Sequence, residues 1–130
     1  MNISKFINKE RLKETFIQLV KFGTGSSETG RLTNIPSTYC QIEFANMLCK
    51  ILNEIGLTSI KIDKFGILTA VMQGNIDKDL SIGLIAHMDT SETVATEPVN
   101  PIVHNYISGD IKLENNIKIK SKQLEKYKNN

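Results

Sequence analysis

Residues 80–90, LSIGLIAHMDT, constrain the fold of this chain most strongly. The uncharged run 82–86 leads directly into His87 and Asp89. An apolar run of this length, rich in Ile, is typical of a buried strand rather than a helix. Both faces of such a strand are apolar when it lies inside a parallel sheet that is covered on both sides. The segment therefore predicts an α/β fold in which residues 82–86 form a buried strand.

His87 and Asp89 follow the predicted strand at the place where α/β sheets carry their chemistry, just beyond the carboxyl ends of the strands. Their i, i+2 spacing sends both side chains to the same side of an extended backbone. A carboxylate that accepts the second ring N–H of a metal-bound imidazole fixes the tautomer of the ring and makes the ligating nitrogen more basic. This pattern favours half of a metal site, with Asp89 orienting the ligand His87.

A purely structural role for the same residues stays open. A histidine at a strand end can cap backbone carbonyls, and Asp89 can open a turn through Thr90 and Ser91. H-x-D is a weak motif by itself. A closed zinc site takes about four ligands, and no Cys or Glu cluster in the sequence completes one. His104, the other histidine, lies in a predicted loop and is interpreted as structural.

Two helices are predicted ahead of this segment. Residues 8–21 carry apolar residues on one face, with Asn8 as the N-cap. The second helix is expected to begin at a cap formed by Ser37 or Thr38, the latter in a capping box with Gln41, and to end at Gly56. The apolar residues of each helix share one face, and we expect the stripe of the second helix to pack in the core. The stripes consist of Leu12, Phe16, Leu19 and Val20 in the first helix and of Phe44, Leu48, Ile51, Leu52 and Ile55 in the second.

The remaining segments divide into a hairpin and several loops. Residues 58–62 and 67–73 are predicted to form a β-hairpin. The loop 23–36, dense in Gly, Ser and Thr, is predicted to be flexible, and residues 90–116 are predicted to be irregular with short extended pieces. The Lys-rich end, 117–130, is interpreted as a solvated or frayed terminus, with a nucleic-acid-binding tail as the weaker alternative.

Length and composition narrow the class of protein. The 130 residues suffice for one domain with a modest core, and a net charge of +2 gives no argument for a nucleic-acid or membrane partner. No apolar run reaches the roughly 20 residues of a membrane span, and no signal peptide is visible. Cys40 and Cys49 lie about 13 Å apart on the second predicted helix, beyond the reach of a disulfide. Reduced thiols in or near the core of a cytoplasmic protein are expected.

The segment IGLIAHMDTSETVATEPVNPIVHNYISGDIKL, residues 82–113, resembles the peptidase T family of tripeptide aminopeptidases. This family belongs to the di-zinc aminopeptidase, carboxypeptidase and deacetylase superfamily. The similarity includes VNP, HNY and GDI after the AHMDTS core. Further upstream, VKFGTGSSE and IPSTYCQIEFANMLCKILNEIGL resemble the first two helices of the family and their loop, and FGILTAVMQGN resembles its hairpin.

The resemblance implies that His87 is a ligand to one of two zinc ions and that Asp89 is the catalytic-site aspartate that positions His87. It implies that residues 1–130 form the N-terminal part of a zinc-peptidase catalytic domain. That part would consist of two helices, a hairpin and a buried strand ending in His-x-Asp, in an incomplete sheet. The parent reaction would release the N-terminal residue of tripeptides. The family's bridging aspartate, Glu-Glu pair, distal ligands and lid domain have no counterpart in this sequence.

Three alternatives remain at this point. A dipeptidase or deacetylase relative shares the H-x-D, although VNP and GDI argue against it. A truncated, non-catalytic remnant agrees with the absent ligands. An unrelated α/β binding module requires the resemblance to be accidental. Because one histidine cannot hold two zinc ions, we expect no peptidase activity from the 130-residue chain alone. Open sheet edges would also leave it marginally stable.

Overall fold

The computed structural model describes residues 6–77, 79–93, 98–125 and 127, and its architecture is mixed α/β. The described strands form two separate antiparallel pairs, β1 with β2 and β3 with β4. The described residues do not include 94–97 of the predicted irregular segment, nor 126 and 128–130 of the predicted tail. The element order is α1 (Lys9–Val20), α2 (Tyr39–Glu54), β1 (Thr58–Ile62), β2 (Leu68–Val71), β3 (Ile111–Lys112), β4 (Lys118–Ile119) and α3 (Ser121–Glu125), with 3-10 turns at Gly30–Leu32 and Glu114–Asn116.

Helix α1 begins at the predicted cap, because the Asn8 side chain accepts a hydrogen bond from the backbone N–H of Arg11 at 3.0 Å. Its apolar stripe is only partly covered, with Leu19 and Val20 half-buried. No residue of α1 is buried, and Leu12 and Phe16 are 62% and 61% exposed. An amphipathic stripe is buried only where another element lies against it, and no element of the described chain covers these two side chains.

The Asn8 cap gives a direct test of helix α1. Replacing Asn8 with Ala removes the acceptor for the Arg11 N–H, so we expect a loss of about 1 kcal/mol of helix stability. Far-UV circular dichroism during urea unfolding measures this loss. Asn8→Asp keeps an acceptor and adds a negative charge at the positive end of the helix dipole. It should therefore retain the wild-type stability, and an equal loss in both variants would contradict the capping role.

Helix α2 begins after Thr38, but the predicted capping box does not form. The Thr38 side chain makes no capping hydrogen bond, because its hydroxyl donates to the backbone carbonyl oxygen of Gly25 at 3.0 Å. The Gln41 side-chain amide lies 3.4 Å from the Ser37 hydroxyl. The side chain of Thr38 therefore binds the preceding loop instead of capping the N-terminus of α2.

The buried apolar core of the described chain is centred on α2. Phe44 and Ala45 are its buried hydrophobic residues, and the ring of Phe22 lies 5.4 Å from that of Phe44. Helix α2 also packs against both strands of the first hairpin. The predicted stripe is thus buried at Phe44 and only half-buried at Leu48, Ile51 and Leu52, while Ile55 is exposed.

The predicted hairpin is confirmed, since β1 pairs with β2 in antiparallel orientation. Its turn is held by Asp63, whose Oδ1 accepts from the backbone N–H groups of Phe65 and Ile67, both at 2.9 Å. An Asp side chain that accepts from N–H groups two residues on is a recurrent turn device. The hairpin is therefore stabilised locally as well as by α2.

The predicted buried strand at 82–86 is wrong. Residues 80–89 have no regular secondary structure, and Ile82, Leu84 and Ile85 are 83%, 94% and 101% exposed. A strand needs backbone hydrogen-bond partners on a neighbouring strand, and the two described antiparallel pairs do not include this segment. Among the described residues, this segment forms a β-bridge only at Thr90, in parallel orientation with Gly25.

The C-terminal part is more ordered than predicted. Strands β3 and β4 pair in antiparallel orientation, and α3 follows at once. Asp110 holds this arrangement by accepting from the Ser121 N–H at 3.0 Å and from Lys120 Nζ at 2.9 Å. These two hydrogen bonds, the first being the stronger cause, lower the pKa of Asp110. Residues 118–125 are therefore not frayed, although most of their side chains are exposed, as a solvated terminus predicts.

Two further expectations concern the cysteines and membrane spans. Cys40 and Cys49 are both free thiols, as their spacing predicts. Cys49 is half-buried, but Cys40 is exposed in the first turn of α2, so the predicted position of Cys40 in or near the core is wrong.

Within the described ranges, no helix has both the length and the apolar character that crossing a membrane requires.

Candidate functional site

The structure brings His87 and Asp89 together. His87 Nδ1 lies 2.8 Å from the backbone oxygen of Asp89 and 3.1 Å from its Oδ1. Both oxygens only accept hydrogen bonds, so in the neutral imidazole the proton sits on Nδ1 and the lone pair on Nε2. The His87 side chain is 85% exposed. The ring is therefore held in the tautomer that can offer Nε2 as a ligand.

Asp89 has a second partner across the chain. The hydroxyl of Ser26 donates to Asp89 Oδ2 at 2.5 Å. This hydrogen bond is the largest cause that lowers the pKa of Asp89, the hydrogen bond from His87 adds to it, and burial opposes both. Because the pKa is lowered in the folded chain, the stabilisation from these contacts is present above the unfolded-state pKa. It is lost as the pH falls through the folded-state value.

Backbone hydrogen bonds hold Ser26 beside the H-x-D segment. The Ser26 N–H donates to the Thr90 oxygen at 2.8 Å, and the Thr90 N–H donates to the Thr24 oxygen at 3.1 Å. A further contact joins the Glu28 N–H to a carboxylate oxygen of Glu92 at 2.6 Å. The loop predicted to be flexible is thus ordered along residues 89–92, because its polar groups find partners there.

The same loop is also fastened to the start of α2. The Ser27 N–H donates to the Ser37 hydroxyl at 3.0 Å, and the Thr38 hydroxyl donates to the Gly25 oxygen at 3.0 Å. Thr24 and Gly25 are buried beneath these contacts. The loop therefore joins helix α2 to the pair formed by His87 and Asp89.

Ser26 is the site residue that sequence reasoning missed. It lies 63 positions from Asp89, in a stretch, GTGSSETG, with several interchangeable hydroxyls. The similarity of VKFGTGSSE to the family pointed to this loop but did not single out one side chain. The approach of the loop to Thr90 is a tertiary feature, so no local pattern selects Ser26.

The donor set fits one position of a zinc site but not a whole site. His87 supplies one nitrogen, with its ring oriented by Asp89 in the way that zinc-bound histidines require. Among the described residues, no group of three or more His, Cys, Asp and Glu is placed to hold a metal ion. His104 lies elsewhere, on a cavity of about 590 Å³ that it shares with Ile102 and Ile111.

Comparison with known proteins finds close relatives, although no protein-family model matches the chain. Peptidase T of Fusobacterium nucleatum is 45% identical over 122 residues, covering 91% of this chain and 29% of the relative. Peptidase T of Clostridium perfringens is 40% identical over 124 residues, covering 92% and 30%. Peptidase T of Caldanaerobacter subterraneus is 38% identical over 123 residues, again covering 92% and 30%.

Identity at this level, across more than nine-tenths of the chain, shows that the chain is homologous to part of a family of peptidases. More specifically, these homologues are peptidases T, which confirms the resemblance seen in the sequence. It spans about 30% of the length of these curated relatives.

Proposed function

We propose that residues 1–130 form the N-terminal portion of the catalytic domain of a peptidase T-like zinc aminopeptidase. The parent enzyme acts in the cytoplasm on tripeptides and releases their N-terminal residue. Neither a nucleic acid nor a membrane is a partner in this proposal. The observation that supports it best is the geometry of His87, whose Nδ1 faces Asp89 while its ring is exposed, in a chain homologous to part of peptidase T.

Each residue of the pair has a defined task in this proposal. When bound, zinc supplies Lewis-acid polarisation of the scissile carbonyl and activation of water. His87 offers Nε2 as the ligand for that ion. Asp89 accepts from Nδ1, which keeps the ring in the ligating tautomer and raises the basicity of Nε2. Asp89 is thereby the catalytic-site aspartate, acting on the metal through His87.

The remaining ligands have to come from outside the described part of the chain. A zinc site takes about four ligands, counting water or substrate, and the described residues bring together no group of three. The relatives are more than three times as long as the stretch that matches. We place the missing ligands and the general base in their unmatched part, so the 130-residue chain by itself is expected to be inactive.

A hybrid enzyme tests this proposal. In it, this chain replaces the 122 matched residues of the Fusobacterium nucleatum peptidase T, and release of the N-terminal residue from a tripeptide is measured together with bound zinc. We expect tripeptidase activity within about tenfold of the parent, an allowance of about 1.4 kcal/mol for imperfect packing at the junction. The isolated 130-residue chain is assayed beside it and should show none.

The controls separate the alternatives. A dipeptide and an N-acyl amino acid are assayed in parallel, and a preference for either would favour a dipeptidase or deacetylase relative. A second candidate, a non-catalytic remnant, is favoured by the absence of a complete ligand group among the described residues. A soluble, folded hybrid that binds no zinc and cleaves no peptide would support the remnant and contradict the enzyme.

A further inference from the structure

The two oxygens of the Asp89 carboxylate are shared between two donors. Oδ1 lies 3.1 Å from His87 Nδ1, and Oδ2 accepts from the Ser26 hydroxyl at 2.5 Å. An ionised carboxylate only accepts hydrogen bonds, so each donor fixes one oxygen. We infer that Ser26 is a positioning residue that holds the Asp89 carboxylate against the imidazole of His87. This inference rests on the proposed function of His87 as a metal ligand.

The backbone around Ser26 makes this contact specific. Ser26 donates its N–H to the Thr90 oxygen at 2.8 Å, and Thr90 donates its N–H to the Thr24 oxygen at 3.1 Å. Backbone hydrogen bonds therefore already hold the segment that carries Ser26 next to the segment that carries Asp89. Forming the hydrogen bond then orders only two short side chains, Ser26 and Asp89, whose loss of rotamer freedom is small.

The position of the Ser26 hydroxyl is in turn set by helix α2. The residues on either side of Ser26 are held at the start of that helix, where Ser37 accepts from the Ser27 N–H and Thr38 donates to the Gly25 oxygen. A connection therefore runs from the start of α2 through Ser26 and Asp89 to His87. Without the Ser26 hydroxyl, Oδ2 loses this donor and the carboxylate is free to rotate away from Nδ1.

The test reads the tautomer of His87 in the 130-residue chain, without metal or peptide, by heteronuclear NMR of the imidazole nitrogens. In the wild-type chain the Nδ1–H tautomer should predominate. Ser26→Ala should raise the ratio of the Nε2–H to the Nδ1–H form about fivefold, because the contact of Oδ1 with Nδ1 is weakened. The change is no larger because the backbone oxygen of Asp89, 2.8 Å from Nδ1, still favours the Nδ1–H form. Ser26→Thr keeps the hydroxyl and should restore the wild-type ratio.

Ser91→Ala is the matched control. It removes a serine hydroxyl from the same segment, but that hydroxyl contacts the side chain and N–H of Thr93, at 2.7 and 3.3 Å. The ratio should not change in this variant. An unchanged ratio in Ser26→Ala would overturn the inference, and so would an equal change in Ser91→Ala, because the ratio would then report the loss of any nearby hydroxyl.

A folding defect is distinguished by circular dichroism. If Ser26→Ala loses the helical signal, Ser26→Cys takes its place, because a thiol has a similar shape and is a weak donor. It should give a higher ratio of the Nε2–H to the Nδ1–H form than the wild type, and a wild-type ratio would overturn the inference. The tautomer measurement needs neither zinc nor substrate. An inactive hybrid enzyme would therefore count against the proposed function, whereas the role of Ser26 would still be decided by the tautomer ratio.

Discussion

His87→Ala in the hybrid enzyme should lower the tripeptidase activity by at least about 100-fold and reduce the bound zinc in parallel. Loss of a partner that only orients a metal-bound histidine costs about 10–100-fold, and loss of the ligand itself should cost more. We expect the loss of activity and of zinc because the exposed His87 ring donates Nδ1–H to Asp89 and leaves Nε2 available as a ligand. Steady-state kinetics and metal analysis of the same preparation measure both quantities.

His104→Ala is the matched control for this prediction, since it removes the other histidine of the chain. His104 lines a separate cavity with Ile102 and Ile111 and has no part in the proposed site. We expect its activity and zinc content to stay within about twofold of the unmodified hybrid, the range of a surface substitution of 0.5 kcal/mol or less. Equal losses in the two variants would show that His87 acts through general stability.

Gly30→Ala should strongly destabilise the isolated chain. A Cβ atom at this position would overlap the backbone carbonyl oxygen of Ser37. A flexible side chain could rotate out of the way, but a backbone oxygen moves only if the chain around it moves. Because Ser27 accepts from the Gly30 N–H at 2.9 Å and is itself held at Ser37, the whole loop would have to move away from α2. We expect a loss of about 1–3 kcal/mol in the free energy of unfolding, measured by urea denaturation followed by circular dichroism.

Gly83→Ala makes the same chemical change where there is room for it. An added Cβ at Gly83 meets no atom within 4 Å, so this variant should change the free energy of unfolding by about 1 kcal/mol or less. If Gly30→Ala were equally mild, the close packing of the loop against the start of α2 would be contradicted. That outcome would also weaken the argument that α2 positions Ser26.

Local patterns predicted the elements that are stabilised by neighbouring residues. Helix α1 begins at Asn8, as its cap predicts, and β1 and β2 form the expected hairpin around the turn at Asp63. The contact between His87 and Asp89 was also predictable, because an i, i+2 spacing sets it within three residues. In each case the interacting groups lie close together in the sequence, so the sequence specifies both partners.

Burial could not be predicted where the partner had to come from another segment. The stripe at Leu12 and Phe16 has the right spacing, but nothing in the described chain covers it. The run containing Leu84 and Ile85 has the composition of a buried strand but pairs with no strand among the described residues. Composition shows that a segment is suited to burial, whereas burial itself needs a second surface.

The sequence by itself determined the similarity to peptidase T, the helices α1 and α2, the first hairpin, and the pairing of His87 with Asp89. Tertiary structure alone decided that the loop 24–28 lies along residues 89–92, that the Thr38 hydroxyl holds this loop instead of capping α2, and that Ser26 completes the contacts of Asp89. The physical reason is the range of the interactions. A cap or a turn closes within a few residues, but the hydrogen bond from Ser26 to Asp89 spans 63 positions and exists only after the chain has folded.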